Sequence, residues 1–202
     1  EEKITPPRPF TVVCEDPESL ELVFHAPEPA LLPVEDAFVV DMPGSDALTA
    51  SPGHPDLPSF VHAWVDGTGL AWKIAAVQMG NSTSRVVRVA PVPLPAVPAD
   101  PEALPMGLPA GRRADAEIYG QNEFWPKNPV ELVQANGSDA SLNKLLVHPV
   151  QYNPAPGELR QWKEMRIRLK PTAKASVTSL AMAMTPLPTN SAAFAEVGLS
   201  PG

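Results

Sequence analysis

Proline limits this chain more than any other residue. It occupies 27 of 202 positions, more than twice what an average usage of about 5% gives. Proline has no backbone donor and a fixed φ, so it breaks helices and is excluded from central strands. A chain this rich in it should consist of short strands joined by stiff, extended loops. The expected fold is all-β: an antiparallel β-sandwich or flattened barrel with long Pro-rich loops and little helix.

The bulk properties suit one domain with tails. Hydrophobic residues make up 44% of the chain, enough to bury a core. The formal net charge is −8 and no basic stripe is visible, which argues against nucleic acid and against an anionic membrane surface as partners. No stretch approaches the ~20 apolar residues of a membrane helix, so no membrane insertion is expected. The single cysteine, Cys14, excludes an internal disulfide but not export. The opening Glu1-Glu2-Lys3, without Met, implies that a leader has been removed.

Residues 1–18 read as an N-terminal tail, residues 19–171 as the folded domain, and residues 172–202 as an Ala/Ser/Pro-rich connector with one possible extra strand around Met182 to Leu187. Strands are expected from Leu20 to Phe24, from Ala30 to Val34, where Pro33 interrupts, and from Ala37 to Asp41. Met42 to Pro58 has the Gly, Ser, Asp and Pro density of a loop. Phe60–Val65, Asp66-Gly67 and Leu70–Val77 read as a hairpin with a tight turn. Val86 to Val89 form another strand, and Val130–Val133 and Lys144–Val147 flank the turn signal Asn136-Gly137-Ser138. Leu159 to Leu169 also suits one helical face. Its alternation of Met165, Ile167 and Leu169 with Arg166 and Arg168 favours a strand. Between them lies a distinct segment, Pro91-Val92-Pro93-Leu94-Pro95 onward to Gly111. Prolines at alternate positions favour a solvated polyproline-II path. A loop of that length in a compact domain is either a floppy insertion or an arm for a partner's groove.

No catalytic or metal set emerges, and no cofactor is implied. Cys14 is surrounded by Glu15, Asp16 and Glu18, which raise a thiol's pKa, so an incidental or buried thiol is expected instead of a nucleophile. His25, His54, His62 and His148 form no HExxH or close pair. Gly80-Asn81-Ser82-Thr83-Ser84 lacks the second glycine of a nucleophile elbow. Asn81-Ser82-Thr83 and Asn136-Gly137-Ser138 match the glycosylation sequon, a frequent chance match. Trp64, Trp72, Phe124, Trp125, Tyr152 and Trp162 form either a stacking platform or part of the core, with burial statistics favouring the core.

One ordered set of motifs goes further. Gly53-His54-Pro55-Asp56-Leu57-Pro58 precedes two strands. Val87-Arg88-Val89-Ala90-Pro91 precedes the Pro-rich segment. Tyr119-Gly120-Gln121-Asn122-Glu123-Phe124-Trp125-Pro126 follows it, and Gln151-Tyr152-Asn153-Pro154 closes the series. This order, from Ser19 to Lys170, resembles the N-terminal propeptide of the gingipain-type, caspase-like cysteine proteases. There a Gly-x-Pro-x-Leu-Pro element, an apolar-Ala-Pro segment, a Tyr-x-Gln entry, an aromatic-Pro pair and a Gln-Tyr-Asn-Pro turn occur in the same sequence.

The resemblance implies a regulator and not an enzyme. It implies a domain that occupies the active-site cleft of a secreted cysteine protease, keeps it latent and assists its folding. The partner would be the catalytic domain, C-terminal in the same polypeptide. The location would be secreted, cell-surface or periplasmic after signal-peptide removal. In the family a basic residue on the loop after the Ala-Pro segment enters an acidic specificity pocket. Between Pro91 and Ile118 the only basic residues are Arg112 and Arg113, at the far end of an interval longer than the family's usual one. Either of them serves, or the protease does not prefer basic residues and Leu94, Leu104, Met106 or Leu108 serves instead. The alternative is an extracellular β-sandwich module for glycan binding or adhesion, which a flat, exposed row of aromatics would mark.

Overall fold

A computed structural model describes residues 9–16, 18–46, 51–67, 70–94, 111–136 and 141–172. Twelve strands and one short helix occur among them: β1 Phe10–Asp16, β2 Ser19–His25, β3 Ala30–Val34, β4 Ala37–Asp41, β5 Phe60–Asp66, β6 Ala71–Met79, β7 Ser82–Val86, α1 Ala116–Tyr119, β8 Val130–Asn136, β9 Ser141–Val147, β10 Val150–Asn153, β11 Glu158–Trp162 and β12 Glu164–Thr172. They form a four-stranded sheet in the order β1-β2-β12-β6, two three-stranded sheets in the orders β5-β9-β8 and β10-β11-β7, and the pair β3-β4. All strand pairs are antiparallel and each sheet is open, so the arrangement is a sandwich and not a closed barrel.

Alternation builds the core. On β2, Leu20, Leu22 and Phe24 point inward, and on β12 so do Met165, Ile167 and Leu169. The facing layer supplies Phe60, Leu145, Val147 and Val130. Phe24 and Phe60 meet across the layers with ring centroids 5.1 Å apart. Burying each of these side chains contributes about 1.5–3 kcal/mol before chain entropy is counted.

Several sequence expectations are corrected here. Phe60–Val65 and Leu70–Val77 do not pair as a hairpin: β5 pairs with β9 and β6 with β12, in different sheets. Asp66-Gly67 marks a local reversal but does not choose the partners. Those are set by the apolar strands at a distance, which have more surface to bury. Asp66 Oδ2 accepts from Trp72 Nε1 at 2.8 Å, which ties the two ends of the crossing together. The run from Leu159 to Leu169 is two strands, because the chain changes sheet at Lys163. There the Lys163 amide donates to Asn81 and its carbonyl accepts from Ala26. The strand expected at Val86–Val89 lies earlier, at Ser82–Val86, and Val89 makes only an isolated parallel bridge to Phe38. Pro33 does not interrupt β3, whose register with β4 passes through Pro33 opposite Phe38. Phe10–Asp16, placed in the tail by sequence, form an edge strand on β2. The extra strand around Met182 to Leu187 lies outside the described residues, as do Leu104, Met106 and Leu108. No helix of the described residues is long and apolar enough to cross a membrane.

Candidate functional site

The Pro-rich arm, residues 95–110, lies outside the described residues, but the stem it leaves from is well built. Leu94 donates its amide to Gly111 at 3.1 Å, which joins the two ends of the arm. Below this bond, three segments lace together. Gly53 donates to Val92 at 2.9 Å, Val92 donates to His54 at 2.7 Å, and Asp115 donates to Gly53 at 2.9 Å. Asp56 donates to Ala90, and Pro55 and Pro91 face each other as an isolated antiparallel bridge. The Gly-His-Pro-Asp element and the Ala-Pro segment are thus the two sides of one clasp. Gly53 is needed there because its φ is +86° and a Cβ would lie 3.2 Å from the Arg113 carbonyl.

The stem treats its two arginines differently. Arg112 turns back onto the sandwich, 20% exposed, with Nη1 3.0 Å from Asp56 Oδ2 and 2.6 Å from the Pro91 carbonyl. It fills one wall of a cleft of about 300 Å³ that also holds Asp41 and Asp46. Its charge is therefore already spent inside the domain. Arg113 is exposed and has no ion pair among the described residues. Leu94, at the other foot of the arm, is 40% exposed.

The signature motif buttresses this stem from behind. Asp115 caps the short helix α1 by accepting from Glu117. Tyr119, at its end, donates its hydroxyl to the Val89 carbonyl at 3.0 Å and stands edge-on to Tyr152. Burial raises the Tyr119 pKa, so the hydroxyl stays a donor at physiological pH. Trp125 and Tyr152 exchange two backbone bonds of 2.8 Å, and the Trp125–Pro126 peptide is cis. Gln151 then links two elements: its Nε2 donates to the Pro126 carbonyl at 2.8 Å and its Oε1 accepts from Trp162 at 3.1 Å. Asn153 donates to Asn122 at 2.9 Å, Pro154 accepts from Gly157 to close the turn, and Phe124 lies under the Arg160 guanidinium at 3.7 Å. Gln121 is exposed at the end of the helix. Most of the signature residues thus make contacts within the domain.

The aromatic platform considered for glycan binding is not assembled among the described residues. Tyr152 is buried, and Trp64, Trp72, Phe124, Trp125 and Trp162 are each partly buried. Trp64 and Trp72 pack edge-on instead of presenting flat faces. Nor do the described residues gather three or more His, Cys, Asp or Glu in a position to hold a metal ion. Cys14 is exposed, and its thiol pKa is raised, chiefly by the hydrogen bond it gives Asp16 and then by desolvation and the carboxylate's charge. His25 sits 3.6 Å from Glu164. His54 and His148 share a cleft of about 270 Å³ with Ser51, Trp125, Glu131 and Leu146 beside the stem. Burial lowers the His148 pKa to about 4, so it is neutral there.

No family model and no curated protein matches the sequence. Solved structures do match in fold. One is the complex of the pro- and mature domains of RgpB from Porphyromonas gingivalis, with 19% identity, a TM-score of 0.65 and alignment over 83% of this chain and 87% of that one. The fold is that of a gingipain pro-domain. A second match agrees: gingipain K from the same organism, in a structure concerned with its zymogenic latency, with 18% identity, a TM-score of 0.59 and 84% and 95% of the two chains covered. Because both alignments span most of either chain, the pro-domain fold accounts for the sandwich as a whole.

Proposed function

We propose that this chain is the pro-domain of a caspase-like cysteine protease, which it keeps latent and helps to fold by occupying the active-site cleft. The observation that carries this reading is a gingipain pro-domain sandwich with a proline-rich arm clasped at both feet, Leu94 and Gly111. One solved neighbour is a complex of RgpB pro- and mature domains, and another addresses zymogenic latency in gingipain K. The same role is inferred for this chain, as a regulator and not a catalyst. The catalytic domain would follow in the same polypeptide, after the connector at residues 172–202. The protein would be secreted or held at the cell surface or in the periplasm after signal-peptide removal. Inhibition would be steric and competitive, with the Pro-rich arm in the substrate cleft and the sandwich docked laterally. A proline has a fixed φ, so a proline-rich segment has less backbone entropy to lose on docking.

Of the two arginines, Arg113 is the better pocket residue. Arg112 would have to abandon Asp56 and the Pro91 carbonyl, leaving a half-buried carboxylate unpaired. Arg113 carries no such debt, and an arginine in an acidic pocket makes bidentate, charge-assisted bonds. Leu104, Met106 and Leu108 take its place if the protease prefers apolar residues. The test is inhibition of the catalytic domain by the wild-type chain and by Arg112→Ala and Arg113→Ala separately. Sub-micromolar inhibition by wild type, weakened about a hundredfold by Arg113→Ala and only a few-fold by Arg112→Ala, is expected. Inhibition that survives Arg113→Ala moves the contact to the apolar arm. A wild-type chain that does not inhibit removes the proposal.

A further inference from the structure

A strand in a two-layer sandwich should send apolar residues inward and polar residues to water. β12 obeys, with Arg166, Arg168 and Lys170 exposed between buried Met165, Ile167 and Leu169. The β5-β9-β8 sheet does not. Its registers set Val65, Leu142 and Ala135 side by side in one row, and Ala63, Lys144 and Val133 in the next. These six are all exposed, and Lys144 is the one charge among them. Val65 is 68% exposed, Val133 51% and Leu142 40%. On β9 the polarity is inverted at this end: Ser141 and Asn143 are buried while Leu142 between them faces out. A contiguous exposed apolar face of this kind marks an interaction surface.

The face is continuous with the stem. The next row, through Leu146 and Glu131, forms one wall of the cleft that His54 and Ser51 close on the other side. His54 and Gly53 are the residues hydrogen-bonded to Val92 in the clasp. The apolar face, the cleft and the foot of the arm therefore form one side of the molecule. We propose that the outer face of β5-β9-β8 is the docking surface for the catalytic domain whose cleft receives the arm, an inference that rests on the function proposed above. A second copy of this chain fits less well. Self-pairing about the centre of the face would press two Lys144 ammonium groups together in an apolar contact, between copies that each carry −8. A foreign partner needs only one acidic group opposite Lys144.

The experiment measures binding of the cysteine protease catalytic domain encoded with this chain to the full wild-type chain and to three face variants, Val133→Glu, Leu142→Glu and Lys144→Glu. Ala76→Glu, on an exposed β6 position of the other sheet, is the control. Each face variant should weaken binding about tenfold or more with an unchanged thermal midpoint, and the control should bind as wild type. Face variants that bind and inhibit like wild type would overturn the docking surface and leave the inhibitory role standing. A wild-type chain that neither binds nor inhibits would remove both. Sedimentation of the chain alone should show a monomer. A dimer dispersed by Leu142→Glu would overturn the assignment in favour of self-association.

Discussion

Gln151 shows what a single residue does in this fold. Its amide reaches both the Pro126 carbonyl and the Trp162 indole, so it couples the aromatic-Pro pair to β11. Without Gln151 the Pro126 carbonyl and the partly buried Trp162 indole N–H would each lose this partner, at a cost of about 1–3 kcal/mol apiece where no other replaces it. Cys14 is the opposite case, a reactive type in an unreactive setting. It is exposed on β1, yet Asp16 accepts its proton at 3.4 Å and holds the thiol pKa up. Alkylation by iodoacetamide at neutral pH should therefore be slow for an exposed cysteine. Asp16→Asn should speed it several-fold, because removing the carboxylate lowers the thiol pKa. An unchanged rate would show that the hydrogen bond does not control the thiol.

At the level of elements, the stem is the part on which function is expected to depend. Three separate segments, at Gly53, Val92 and Asp115, meet through backbone bonds that need Gly53 in a positive-φ conformation. Gly53→Ala adds a Cβ in that conformation and against the Arg113 carbonyl, at a cost of about 1–2 kcal/mol. The expected result is a lower urea midpoint together with weaker inhibition, since the arm loses its footing. Full stability and full inhibition would show that the clasp does not position the arm. The pairing of β8 with β9 was legible from Asn136-Gly137-Ser138, and the turn Pro154–Gly157 from its residues. The pairing of β5 was not, because a turn signal reports a reversal of the chain and not the identity of the neighbour.

For the whole molecule, acid should be destabilising well above the range where carboxylates titrate. Burial pushes the His148 pKa down from the ordinary 6.5 to about 4. Its neutral form is the one that the fold accepts. Above pH 6.5 the contribution is complete. As pH falls from 6.5 towards 4 the unfolded chain takes up a proton that the folded chain refuses, and stability drops, by up to about 3 kcal/mol. His62, whose pKa burial also lowers, acts in the same sense. His148→Phe should flatten the fall in urea stability between pH 7 and pH 4.5, whatever its effect at pH 7. An equal slope in the variant would place the acid sensitivity elsewhere.

Sequence by itself determined the class of the fold. The prolines exclude long helices, the alternation on β2 and β12 specifies which face is buried, and the ordered motifs point to the gingipain pro-domain framework. Those are local properties, set by φ, by hydrogen-bonding capacity and by the period of two along a strand. Tertiary structure decided which strands became neighbours, that Arg112 is spent on Asp56 while Arg113 stays exposed, and that Val65, Leu142 and Val133 share one uncovered face. These depend on pairing between residues far apart in the chain, where the register of one strand against another sets what lies beside a side chain. No window along a single strand carries that information.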